Sequence, residues 1–172
     1  MKKLLLGLIA IISMSLSSYA QSSGPQIGVW TESSTNKPFS ETPSFQSLNI
    51  VVAPGYSFDG RWSVRLPISL YTAELYRTQL GRTFDNNYVL AGSVGYTFLN
   101  AKAVRLEVAG TFGGSLTQKH ASYLYYDVSV AANIGSTKSR FTIGLGARYF
   151  QSRSTGFDNN MTISLRLGYL FN

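Results

Sequence analysis

From residue 21 onward, apolar and polar positions alternate with a period of two, and no stretch holds the 3.6-residue period of a helix. Residues 103–112 show the pattern plainly. Val104, Leu106, Val108, Gly110 and Phe112 fall on one face, and Arg105, Glu107, Ala109 and Thr111 on the other. The last stretch, 161–171, repeats it. Met161, Ile163, Leu165, Leu167, Tyr169 and Phe171 alternate with Thr162, Ser164, Arg166 and Gly168. The same reading predicts strands at 26–33, 48–58, 62–72, 88–98, 123–134 and 140–150. In the first of these, Ile27 and Val29 oppose Trp30 and Glu32. Eight strands of this length, antiparallel and joined in sequence, predict an all-β, up-and-down barrel.

The charges are sorted between the two faces. On strands two to eight the apolar face carries no charged residue, while the opposite face carries Arg65, Arg105, Glu107, Asp127, Arg140, Arg148 and Arg166. Apart from these charges the polar face is mostly Gly, Ala, Ser and Thr. Small residues suit the cramped interior of an eight-stranded barrel and make a poor soluble exterior. The apolar face is therefore expected to point outward, into lipid. Aromatic residues on that face collect near the strand ends. Tyr56, Phe58, Trp62, Tyr96, Phe98, Phe141, Tyr169 and Phe171 lie toward one end; Tyr88, Phe112 and Tyr149 lie toward the other. Two aromatic girdles around an aliphatic band are what the two interfaces of a bilayer select.

Composition narrows the function classes. No Cys is present, which excludes disulfides, thiolate zinc sites, thiol nucleophiles and a lipid anchor on cysteine. A single His excludes a multi-histidine metal centre, and no cofactor motif occurs. Residues 1–20 have the form of a secretory signal peptide. Lys2 and Lys3 precede an apolar run from Leu4 to Ile12, and small residues around Ser18 and Ala20 predict cleavage after Ala20. Nine apolar residues are too few for a helix that must cross a ~30 Å hydrocarbon core. Residues 21–172 would then form one domain. Without Lys2 and Lys3, 13 basic residues face 8 acidic ones, a net charge of +5 with no basic run. This argues against a nucleic-acid partner.

The connections alternate in length. Short turns are predicted at 59–61, 99–102 and 135–139, and longer loops at 34–47, 73–87, 113–122 and 151–160. Short turns on one side and long loops on the other is the outer-membrane arrangement, with both mature termini on the turn side. With this, the chain resembles the small eight-stranded outer-membrane proteins of Gram-negative bacteria, the OmpA/OmpX type. In that family the final strand ends in an aromatic residue preceded by alternating apolar ones. Tyr169 and Phe171 match it, although Asn172 follows. The resemblance implies lipid and lipopolysaccharide as surroundings, and the barrel-assembly machinery and periplasmic chaperones as partners. It implies no catalytic residue and no cofactor.

Three groups of residues remain as candidate chemistry. The interior charges Glu32, Arg65, Arg105, Glu107, Asp127, Arg148 and Arg166 are expected to form a network, because buried ions need partners. Asp127 should meet Arg148 on the adjacent strand, and Glu32 should meet Arg166 across the strands that close the ring. Such a network fills the interior; the alternative is a narrow pore favouring anions. His120 and Ser122, two apart at a strand mouth, resemble the His-x-Ser pair of lipid A deacylases, but Tyr123 follows where the family has Asn, and no acid is well placed. The loops bring together Lys37, Glu41, Phe45, Glu74, Arg77, Arg82 and Asp85, which could contact a surface ligand. A structural or adhesive role through the loops is the leading expectation, a channel for small or hydrophobic solutes the alternative, and a lipid-modifying enzyme the third.

Overall fold

The structure is a computed structural model; it describes residues 23–36, 45–78, 81–101, 103–116, 122–154 and 158–172. The expected signal peptide and cleavage site therefore lie outside the described residues. Nine β elements run in chain order: β1 (Gly24–Thr35), β2 (Phe45–Phe58), β3 (Trp62–Arg65), β4 (Ile68–Thr78), β5 (Gly81–Asn100), β6 (Val104–Ser115), β7 (Tyr123–Gly135), β8 (Ser139–Ser152) and β9 (Asn160–Phe171). All pairings are antiparallel; β3 and β4 each pair with β2 and β5, the other strands pair with their neighbours in sequence, and β1 pairs with β9.

Elements β3 and β4 are one strand interrupted at Leu66 and Pro67. Proline cannot donate to the ladder, but its carbonyl accepts from Ala91 N (2.9 Å), and Leu66 N donates to Pro54 O (2.8 Å), so the wall continues across the break. Eight strands thus close into a ring, as the alternation predicted.

The register fixes the ring's shape. Followed across paired residues, Arg105 leads to Asn133, Thr142, Gly168, Trp30, Val51, Ser69 and Val89, and back to β6 at Ser115. The path returns ten residues from its start. With ~3.3 Å per residue and ~4.8 Å between strands, this stagger tilts the strands by about 40° and gives a backbone radius of about 8 Å. Such a ring has room inside for side chains and little else.

The ladder slips in two places among the described residues, between Thr97 and Leu99 against β6 and beside Ser69, and the second changes which face a side chain takes. Between Ser69 and Thr72 a bulge slips the register against both β2 and β5. Leu70 stays outside, while Thr72, which unbroken alternation from Trp62 places outside, is buried inside. The connection between β2 and β3 is a tight hairpin turn, with φ of 50° at Asp59 and 61° at Gly60 and Arg61 N donating to Phe58 O. Two positive φ angles are the type I′ pattern that an Asp-Gly pair tolerates.

One expected loop is largely strand. The sequence predicts a loop at 73–87 carrying Glu74 and Asp85, whereas in the structure β4 runs to Thr78 and β5 begins at Gly81, and the side chains of Glu74, Asp85 and Asn87 are buried. This hairpin stands beyond its neighbours at the loop end of the ring.

Candidate functional site: the ring interior

The ring is inside out relative to a water-soluble barrel. Among the described residues, 26 polar or charged side chains are buried against 12 apolar ones. Large apolar side chains such as Leu70, Val94, Val128, Leu145 and Ile163 are more than half exposed. The alternation that builds each strand sends one set inward and the other outward.

Toward the turn end, Glu107 on β6 accepts two hydrogen bonds from Arg65 on β3, at 2.5 and 2.7 Å, and one from Arg105 Nη2 at 3.2 Å. Arg105 is fully buried, and its Nε donates to Thr97 Oγ1 at 2.6 Å. A two-pronged guanidinium–carboxylate contact is among the stronger polar pairings. Arg140 is buried near this end as well, its Nε donating to Ser136 O. Among the described residues it has no carboxylate within salt-bridge distance.

At mid-height, Glu32 on β1 takes Arg148 at 2.6 Å and Arg166 at 3.1 Å, and Asn49 Nδ2 approaches it at 3.4 Å. Asp127 faces Arg148 in register on β7 and β8, 3.3 Å from its Nε. Each cation also lies over a ring: Arg148 4.3 Å from the Tyr125 centroid, Arg166 4.6 Å from that of Trp30. The seven charged residues expected inside are thus brought together in two clusters. Glu107 binds Arg65 and Arg105; Glu32 binds Arg148 and Arg166, with Asp127 beside them.

The loop end holds a layer that the sequence reading missed. Phe45, Tyr123, Tyr125 and Phe150 pack inside with Val89 and Ala91. Phe150 lies 4.8 Å from Phe45 and 4.9 Å from Tyr123 between ring centroids. Phe45, expected in a loop, is instead the first residue of β2 and fully buried. The Tyr123 hydroxyl donates to Glu74 Oε1, and Asn87 Nδ2 donates to Glu74 Oε2 at 3.0 Å. Glu74 pairs with Asp85, three residues beyond Tyr88 toward the loop end, so it stands past the outward aromatic ring there. Burial pushes its carboxyl up to about 7, with Asp85 adding to the effect and the two hydrogen bonds opposing it. The signal for this layer was present in the inward parity that Tyr123, Tyr125 and Phe150 share with Asp127 and Arg148.

Between the aromatic layer and the mid-height cluster lies a cavity of about 20 Å³, bordered by Trp30, Glu32, Val89, Tyr125 and Arg148. That is room for about one water molecule.

Of the other candidates, His120, Lys37 and Glu41 lie outside the described residues. Ser122 is half-buried at the start of β7, its N donating to Ser154 Oγ and its carbonyl accepting from Arg153 N. Tyr169 and Phe171 are outside and about half exposed, 6.2 Å apart with their rings stacked. Phe171 pairs with Ile27 on one side and Ser139 on the other. Asn172 is tied to the adjoining turn through its N to Lys138 O and its side chain to Thr137 O.

The chain matches no family model and none of the curated proteins. The functional reading therefore rests on the arrangement of side chains.

Proposed function

We propose that this chain is a transmembrane β-barrel of a bacterial outer membrane, exported through a cleaved signal peptide, with a structural or surface-contact role and no catalytic one. The observation that carries the reading is the outward face. Exposed Leu, Val and Ile form a continuous belt, bounded by Tyr56, Phe58, Trp62, Phe141, Tyr169 and Phe171 at the turn end and by Tyr88, Phe112, Tyr126 and Tyr149 at the loop end. A soluble monomer rarely exposes a contiguous apolar patch beyond a few hundred Å². A bilayer covers such a belt and favours aromatic rings at its two edges.

Under this reading the loop end faces the outside, and the connections there are the contact surface for a ligand, partner cell or lipopolysaccharide. The turn end and both mature termini face the periplasm, where Phe171 ends the strand read by the assembly machinery. The interior supports the structural role over the channel. Two ion clusters and an aromatic layer fill a bore of about 8 Å backbone radius.

The test is insertion and conduction together. Refolding into phospholipid vesicles should give a form that migrates differently on SDS gels before and after boiling, and planar bilayers should show no discrete conductance steps. Recovery as a soluble protein with one mobility would overturn the membrane reading. Reproducible unitary currents would replace the structural role with a channel.

A further inference from the structure

The outward face is not uniformly covered. Across β5 to β9 it carries an apolar groove of about 580 Å³. Two registered rows of residues make it. The row nearer the loops is Phe112, Tyr126, Tyr149 and Met161, paired strand to strand; the row below is Val94, Gly110, Val128 and Ala147. The row nearer the loops carries the larger side chains, and together the two rows run over four strand spacings, about 19 Å. Its volume falls within the ~300–1,000 Å³ of small-molecule sites.

Two glycines lie in the groove. Inward glycines of the strands have a neighbour that a methyl group would strike: Trp30 at Gly28 and Gly168, Arg65 at Gly55, Tyr125 at Gly113. Gly92 and Gly110 face outward and, like Gly24 at the start of β1, have nothing within 4 Å of an added Cβ. Glycine inside a strand weakens it and commonly marks the close approach of another molecule. No atom of the chain itself makes that approach.

We propose that this groove holds one acyl chain of lipid A. The proposal rests on the outer-membrane reading and names a resident lipid for it. The groove's exposed lining is almost wholly apolar, with the buried Thr111 and Asp127 also bordering it, which fits a hydrocarbon chain. It rises toward the loop end, so the chain belongs to the outer leaflet. Polar groups stand where a headgroup would follow: Gln151, reached by the Tyr126 hydroxyl at 3.5 Å, and exposed Arg153 two residues further on, suited to a phosphate.

The experiment is native mass spectrometry of the mature chain, purified from Gram-negative membranes in mild detergent. Wild type, Gly110→Leu, Gly92→Leu and Val29→Leu are compared, the last adding a methylene on the opposite wall. Each sample is first checked for a boiling-dependent gel shift. Wild type and Val29→Leu should retain one lipid A, and the two glycine variants, folded but with the groove filled, should lose it at least tenfold. Lipid A carrying a photoreactive diazirine in an acyl chain should label wild type at 92–94 and 110–112, a readout that needs no variant.

Equal retention in all four proteins, or labelling spread evenly over the belt, overturns the proposal. Retention of phospholipid in place of lipid A overturns the assignment of the ligand. A wild-type dimer abolished by Gly110→Leu makes the groove a contact between copies of this chain. Loss of groove binding with the gel shift intact leaves the membrane reading standing, whereas absence of the gel shift in wild type sinks both.

Discussion

Replacing Glu107 by Gln isolates the cost of an unbalanced interior charge. Among the described residues Glu107 is the one carboxylate in salt-bridge contact with Arg65 and Arg105, whose side chains are 6% and 0% exposed. Guanidinium groups do not shed their protons in proteins, so the substitution leaves two buried cations with an amide for a partner. Breaking a buried ion pair from one side costs about 3–5 kcal/mol. The upper half of that range applies here, because two cations lose their counter-ion at once, although Arg105 keeps its bond to Thr97. Glu32→Gln is the internal comparison. Arg148 keeps Asp127 at 3.3 Å, and Arg166 is 12% exposed and lies over Trp30, so about 1–3 kcal/mol is expected. The assay is urea unfolding in vesicles followed by tryptophan fluorescence, with buried Trp30 and exposed Trp62 as reporters. Replacing the whole triad, by Arg65→Met, Arg105→Met and Glu107→Leu, should recover most of the loss, since an apolar set of similar volume needs no counter-ion. The reasoning is refuted if Glu107→Gln costs less than about 1 kcal/mol, or no more than Glu32→Gln.

Three further outcomes follow from the outward face, the last strand and the loop end. Val128→Arg, on a residue 63% exposed at mid-belt, should cost about 2–4 kcal/mol in vesicle unfolding, and Lys138→Glu, on an exposed turn residue, almost nothing; equal effects would mean that the belt does not face lipid. Phe171→Ala should lower the folded fraction after pulse expression, while deletion of Asn172, which removes only exposed bonds to the 137–138 turn, should not; the reverse order would defeat the terminal-strand argument. The Glu74 carboxyl, pushed up to about 7 from its usual 4.5, is protonated in the folded state where the unfolded chain has already lost the proton. Stability should therefore fall as pH rises from about 4.5 through 7, by at most about 3 kcal/mol, and Glu74→Gln should flatten that slope in pH-dependent unfolding.

The strands were legible in the sequence because a period of two survives single irregularities. The phase of the pattern was legible too: Trp30 and Glu32 fall inside and Ile27 and Val29 outside, as expected. Two things were not. Polarity was taken as a sign of loop, yet in a ring whose interior is polar a buried strand looks hydrophilic, and Glu74 and Asp85 were misread for that reason. The bulge at Leu70 has no local marker apart from Pro67 just before it, so the inward turn of Thr72 was hidden. Two ion pairs could be read from the sequence, Asp127 with Arg148 across a hairpin and Glu32 with Arg166 across the closing strands, and both lie in register. That Arg148 also reaches Glu32 depends on how far the strands stagger, which no single segment encodes.

The seam between β1 and β9 differs from every other joint in the ring. Elsewhere a connection of limited length ties neighbouring strands and limits how they can align. Here the partners come from opposite ends of the chain: Glu32 and Arg166 are separated by 134 positions. Nothing covalent prevents the two strands from sliding. A slide by one residue would turn Glu32 toward the outside. A slide by two would keep the faces correct but set Glu32 against Ser164 or Gly168, leaving Arg166 without its paired carboxylate. The ion pair at the seam therefore acts as a proofreading contact. It rewards one alignment among several that hydrogen bonding alone would accept.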